Sequence, residues 1–213
     1  MSSLNGAAMN NRHSADEEIL QRLSKDNEDA NRRLHARLVQ AAQMSNVLDI
    51  AYGTVETPVG VLLLAATERG LVRVAYPSQN HELVLEQLAA EISPRILHAP
   101  DRLQDASRQL DEYFAGRRRQ FSLELDNRMS PGFRRSVLVR LQSIAYGSTV
   151  SYAELANMAG NPKAVRAVGT ACGANPLPVV VPCHRIVRSD GTPGGYVGGA
   201  EAKQTLLKLE GAA

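Results

Sequence analysis

The chain has 213 residues, 44% of them hydrophobic, with 24 Lys and Arg against 22 Asp and Glu and only two cysteines. That length buries one medium core or two small ones, no stretch is apolar for long enough to span a bilayer, and the polar start MSSLNGAAMNNRHSADEE lacks the apolar segment of a secretory signal. A soluble, cytoplasmic protein is expected, in which a reducing milieu disfavours a Cys172–Cys183 bridge and two cysteines are too few for a thiolate zinc site. The net charge of +2 is unevenly spread: from Ser130 onward nine cationic residues face four acids, a balance of +5 against −3 for the rest. Such an excess suits phosphates, although an ordinary solvated surface can show the same arithmetic.

In chain order, residues 14–45 carry mixed charges and an apolar spacing at Ile19, Leu23, Ala30, Leu34 and Leu38, which predicts a weakly amphipathic, peripheral helix or arm. LDIAYGTVETPVGVLLLAATERGLVRVAYP then alternates apolar runs with turn residues and reads as about three antiparallel strands. NHELVLEQLAAEI and DRLQDASRQLDEYFAG read as helices, the second closed by Gly116, and FSLELD as one more strand. From Ser130 the pattern turns helical. Ser130 and Pro131 are expected to open PGFRRSVLVRLQSIA, which Tyr146-Gly147-Ser148 breaks. Ser151 with Glu154 forms a capping box for SYAELANMAG, and Asn161-Pro162 is expected to start PKAVRAVGTACGAN. Two short helices on a tight turn have the shape of a helix-turn-helix, a shape shared with many hairpins that ignore DNA.

In NPLPVVVPCHRIVRSDG, the triplet Val179-Val180-Val181 reads as a buried strand that Pro182 stops just before Cys183. His184, Arg185 and Arg188 are cations, or can become so, of the kind that favours a thiolate over an ordinary thiol. Taken alone, a single cysteine is more often a small buried hydrophobe, and neighbours on an extended chain face opposite ways, so Cys183 and His184 need not touch.

NPLPVVVPCHRIV, preceded by KAVRAVGTACGAN and followed by GGYVGGAEAKQTLLKLEG, resembles the signature of the O6-alkylguanine-DNA alkyltransferases, the methylated-DNA–protein-cysteine methyltransferases. The resemblance runs from about Ser130 to Gly211. It implies an α+β architecture: an extension at 1–46, a small sheet-plus-helix lobe of ribonuclease H-like type at 47–129, and a mostly helical DNA-binding and catalytic lobe at 130–213. It further implies that Cys183 takes the alkyl group, that His184 deprotonates it through a water, and that Glu210 orients His184 in the logic of a protease triad. Asn175 would brace the turn before the cysteine, and Tyr152 would donate to the departing guanine.

Arg166 would enter the DNA stack as the flipped base leaves it. Lys163, Ala164, Ala167, Gly169 and Thr170 would line the same minor-groove surface, where little sequence is read. Pro178, Ile186, Cys172, Lys203, Tyr196, Val197 and Gly198 would form the base pocket, with SDGTPGGYVGG as its lid and no phosphate-binding Gly-Lys-Ser/Thr following it. Val197 removes a side-chain donor there, which bears on tolerance for bulky alkyl groups. No cofactor and no metal are expected.

The implied activity is one irreversible transfer from O6-alkylguanine in double-stranded DNA by a monomer, with O4-alkylthymine and cooperative assembly on DNA left open. Two rivals differ in class. A lesion-binding sensor of the alkyltransferase-like type lacks the acceptor cysteine, and a Cys-His hydrolase would turn over repeatedly.

Overall fold

A computed structural model describes Lys25 and residues 27–42, 44–45 and 47–212. The chain divides between Val47 and Leu48. In the first unit residues 27–42 are helical (α1), with Leu34 and Leu38 exposed and Arg32 paired with Asp29. The first part of the helix expected over 14–45, residues 14–24, lies outside the described residues. No helix among the described residues is long and apolar enough to cross a membrane.

The second unit is a mixed α+β body. Strands β1 (Ile50–Val55), β2 (Leu62–Thr67) and β3 (Gly70–Ala75) form the three expected antiparallel strands, and β4 (Ile96–His98) adds to β1 in parallel, giving the order β3-β2-β1-β4. The near-continuous apolar run LLLAAT of β2 is that of a strand covered on both faces. Leu62 and Leu64 enter one core, while Leu63 and Ala65 enter a second, which α2 (His81–Glu91) closes with Val84 and Leu88. The larger core takes Leu110 and Tyr113 from α3 (Gln104–Phe114) and continues through the C-terminal helices to Leu206, so both parts of this unit share one interior.

FSLELD does not form a strand. Leu125 makes a single bridge to Leu71, after which Asp126 turns the chain, accepting from Arg128 N at 3.1 Å and from Thr67 Oγ1 at 2.6 Å. Besides that bridge, the free side of β3 is met by Val74 N donating to Pro176 O at 2.8 Å, which covers the strand edge with the turn that leads to Cys183.

Helix α4 (Phe133–Leu141) starts later than expected, with Gly132 as its cap. Ser130 is fully buried and its Oγ has no hydrogen-bond partner among the described residues, so it serves as no cap. Strand β5 (Val150–Ser151) pairs in parallel with β6 (Ile186–Val187). Helix α5 (Tyr152–Met158) carries the expected Ser151–Glu154 capping box. It ends in paired bonds from Gly160 N to Asn157 O and Asn161 N to Ala156 O, a termination that needs the left-handed φ of +78° at Gly160. Asn161 to Ala164 is therefore a turn, and α6 begins at Val165 and runs to Gly173. Helix α7 (Gly199–Glu210) closes the chain.

The Val179–Val181 segment is a buried turn and not a strand. Val181 N donates to Leu177 O at 2.8 Å, and Val179 takes φ of 73°. A β-branched residue held left-handed costs about 1–2 kcal/mol, and Asn175 supplies the restraint by accepting from Leu177 N at 3.0 Å and donating to Val181 O at 2.9 Å.

Ser130→Ala separates a cap from a buried orphan hydroxyl. Loss of a cap would cost about 1 kcal/mol, whereas removal of an unpaired buried hydroxyl leaves stability unchanged or raises it. The expected result is a thermal midpoint at or above that of the unsubstituted protein.

Candidate active site

Cys183 opens a short 3-10 turn, Cys183–Arg185, that lies between the Asn175-braced loop and β6. All three of its residues are buried. Both cysteines are free. Asn175 Nδ2 lies 3.1 Å from the Cys183 Sγ and so ties the thiol to the same amide that holds the valine turn. Burial pushes the Cys183 thiol up to about 11, against the opposing pull of the Asn175 bond and the Lys203 charge. The thiol is thus protonated at rest.

The cations expected to favour a thiolate are otherwise engaged. Arg185 gives Nε and Nη2 to the two Glu210 oxygens, each at 2.8 Å, and Arg188 is exposed. Burial lowers the His184 imidazole below its ordinary value more than its contact with Glu210 raises it, so it is neutral at rest. Lys203, from α7, is the cation that acts on the thiol; it is fully buried and its ammonium donates to Ile186 O and Gly194 O.

Glu210 gathers the rest. Burial would raise its carboxyl, but hydrogen bonds from His184, Arg185 and Tyr113 prevail and hold it at about 2. His184 Nε2 lies 3.0 Å from Oε1, Tyr113 Oη donates to Oε1 at 2.7 Å, and Gly147 N donates to Oε2 at 3.3 Å. An ionised carboxylate only accepts, so the neutral imidazole carries its proton on Nε2 and leaves Nδ1 with a lone pair. Nδ1 is buried and has no partner among the described residues. The arrangement leaves a neutral imidazole able to accept a proton at Nδ1.

Two family models match the chain: the ribonuclease-like domain of 6-O-methylguanine DNA methyltransferase at residues 50–127, and its DNA binding domain at 132–212. A methylated-DNA–protein-cysteine methyltransferase of Methanosarcina acetivorans is 39% identical over 75% of this chain and 97% of its own length. Its namesake from Mycolicibacterium paratuberculosis is 43% identical over 76% of this chain and 92% of its own. The chain belongs to the 6-O-methylguanine DNA methyltransferase family. With membership comes the family's reaction, direct-reversal DNA repair by alkyl transfer to a protein cysteine. The crystal structure of the Mycobacterium tuberculosis O6-methylguanine methyltransferase superposes with a TM-score of 0.68 at 37% identity, covering 76% of this chain and 93% of that one. A structure of M. tuberculosis OGT in complex with DNA gives 0.65 at 36% identity over the same shares.

In this methyltransferase α6 presents one face to solvent. Arg166, Ala167 and Thr170 are exposed, as is Lys163 in the preceding turn, while Ala164 and Gly169 are half-buried and Val168, Ala171 and Cys172 face the core. Tyr152, at the start of α5, is half-buried and faces Gly169 and Gly194; burial first, then the nearby thiols, raise its phenol. Pro178, Ile186 and Cys172 are buried, the last with a thiol that burial pushes up to about 12. Tyr196, Val197 and Gly198 are half-buried, and the Tyr196 ring stands edge-on to the His184 ring with centroids 6.2 Å apart.

Sequence reasoning paired Glu210 with His184 but missed its other partners, Tyr113, Gly147 and Arg185. Tyr113 lies in an ordinary amphipathic helix, and Gly147 read only as a helix break; Tyr146 beside it donates to Leu209 O at 2.9 Å, which docks that break on the end of α7. Arg185 carried a signal, since an arginine within a buried motif needs a carboxylate, but the sequence did not say which.

Two outcomes follow from this geometry. Alkylation of Cys183 by iodoacetamide, read by peptide mapping, should climb about tenfold per unit from about pH 7 to about pH 10, because the deprotonated fraction of a raised thiol grows with pH. A plateau below about pH 9 would mean a preformed thiolate. Tyr113→Phe removes a hydrogen bond to a buried charge and should cost about 1.5–3 kcal/mol of unfolding free energy, with slower transfer to Cys183; full retention of both would show that the remaining donors satisfy the carboxylate.

Proposed function

We propose that Cys183 is the acceptor that takes the alkyl group from O6-alkylguanine in double-stranded DNA, in a single irreversible turnover. The observation that carries this reading is a buried, Asn175-held thiol followed in the chain by a histidine whose Nε2 is committed to Glu210 and whose Nδ1 has no partner among the described residues. As the thiol proton leaves toward Nδ1 through a water, Sγ attacks the alkyl carbon. The carbon–sulfur bond forms, the carbon–O6 bond breaks, and its electron pair stays on the guanine. Tyr152 donates a proton to the departing ring, and the proton that His184 took from the thiol passes through solvent to the Tyr152 phenolate, so that the proton lost by the thiol is balanced by one gained on guanine. The products are a thioether and an intact base, with no co-reactant. A thioether does not return to the thiol under cellular conditions, which makes the protein single-use.

Reaching O6 requires the base to leave the helix, at a cost of a few kcal/mol that is least for a poorly paired base. The exposed Arg166, with Lys163 and Thr170 beside it and small residues around it, suits insertion into the minor groove to fill the space left behind. Tyr196, Val197, Gly198, Pro178, Ile186 and Cys172 form the pocket for the flipped base, and Lys203 holds the strand and loop that border it. The protein works as a cytoplasmic monomer, and Cys183 separates it from lesion-binding sensors that lack an acceptor.

The test is intact-mass spectrometry with peptide mapping after mixing with excess duplex DNA carrying one O6-methylguanine. One methyl on Cys183, stoichiometric and absent in Cys183→Ser, is expected, and repeated turnover or an unmodified Cys183 would overturn the reading. In the same assay Arg166→Ala should slow transfer from duplex DNA by at least about tenfold, the scale of one lost transition-state contact, while sparing reaction with free O6-methylguanine. Equal losses on both substrates would remove Arg166 from the flipping role.

A further inference from the structure

Tyr76, 1% exposed, follows β3 and caps the 3-10 turn Pro77–Gln79 on the lobe opposite Cys183, a place that does not mark it for the chemistry. Its hydroxyl nevertheless lies 3.0 Å from the hydroxyl of Tyr196, and the two rings meet edge to face with centroids 5.8 Å apart and planes at 77°. The same ring fills the space above Gly198, where an added Cβ would sit 2.5 Å from Tyr76 Cζ, 2.6 Å from Cε1 and 2.7 Å from Cε2. One buried side chain therefore contacts two residues of the glycine loop that borders the cysteine. Burial raises both phenols far above their ordinary value, so the pair stays a neutral hydroxyl–hydroxyl contact at any pH the protein meets.

Tyr76 has little freedom to yield. It is packed within the larger core, and Gln79 Oε1 accepts from its backbone N at 3.0 Å. The Tyr196 ring meets both the Tyr76 ring and the His184 ring edge to face, so its place is set by contacts with both.

We propose that Tyr76 is a positioning residue that fixes the Tyr196–Gly198 segment and thereby limits the size of O6 substituent the pocket admits. This rests on Tyr196 and Gly198 bordering the base pocket, as argued above. The absence of a side chain at Gly198 and the presence of a large one at Tyr76 are two halves of one fit. Shrinking residue 76 lets the Tyr196 ring relax into the vacated volume and widens the site; adding a methyl at 198 pushes the segment off Tyr76 and narrows or misplaces it.

The experiment measures second-order rates of Cys183 alkylation by free O6-methylguanine and free O6-benzylguanine, with a thermal melt of each variant. The variants are Tyr76→Phe, Tyr76→Leu, Tyr76→Ala, Gly198→Ala and the double variant Tyr76→Ala/Gly198→Ala. The benzyl-to-methyl rate ratio is expected to stay near that of the unsubstituted protein in Tyr76→Phe and to rise in Tyr76→Leu and again in Tyr76→Ala, by about tenfold in the last, the discrimination a pocket wall can exert. Gly198→Ala alone should slow both substrates by more than about tenfold, and the double variant should recover most of that loss, since contacting residues are non-additive. An unchanged ratio in a Tyr76→Leu protein that melts normally, or a double variant no better than Gly198→Ala, overturns the proposal. Should Tyr76→Ala fail to fold, the Phe and Leu variants carry the test. If the unsubstituted protein leaves Cys183 unmodified by both bases, it is the acceptor reading that fails.

Discussion

Glu210 is an ionised carboxylate sealed from solvent at the last residue of α7, where the helix dipole already disfavours negative charge. Burying such a charge is tolerable only when its lone pairs are filled, and here they are filled from His184, Arg185, Tyr113 and Gly147. Those donors come from α3, from the turn after α4 and from the Cys183–Arg185 turn, so one carboxylate fastens three separate segments to the end of α7. The position of the His184 ring, its tautomer and its vacant Nδ1 all depend on that carboxylate staying ionised and stationary.

The thiol is governed by the opposite logic. Burial suppresses its ionisation, pushing the thiol up to about 11, so that it is protonated at neutral pH. In the proposed single transfer this suppression protects the thiol, because an exposed, low-pKa cysteine would be consumed by oxidants and stray electrophiles. Under the proposed mechanism, reactivity is supplied when a base occupies the pocket, through a neutral imidazole that accepts the proton at that moment. Asn175 serves both needs: it holds Val179 in its strained conformation and hydrogen-bonds the sulfur.

The N-terminal lobe of the second unit is more than a scaffold. Its edge strand is capped by Pro176, its α3 sends Tyr113 to Glu210, and Tyr76 reaches Tyr196, so this lobe touches the cysteine turn, the Glu210 carboxylate and the glycine loop at one point each. The exposed face of α6 stands apart from all three and is left free for a partner.

The sequence by itself determined a good deal. Strands β1 to β3, helices α2 and α3, the capping box of α5 and the helix-turn-helix shape were legible, because period, capping and turn chemistry act over a few residues. The cysteine motif was legible as a resemblance, down to Cys183, His184, Glu210 and Asn175, which the fold brings into one cluster. Tertiary structure decided the rest. Three consecutive valines that locally favour a strand are bent into a left-handed turn because Asn175 and the surrounding core outweigh β propensity. Ser130, a good cap by its neighbours, is drawn into the interior. Arg185 and Arg188, read as thiolate-favouring cations, are spent on Glu210 and on solvent, while Lys203 from a distant helix takes that place. Tyr113 and Tyr76 carried no mark at all, since a buried tyrosine in an amphipathic element looks like core until the chain has folded and its hydroxyl has found a partner about 100 residues away.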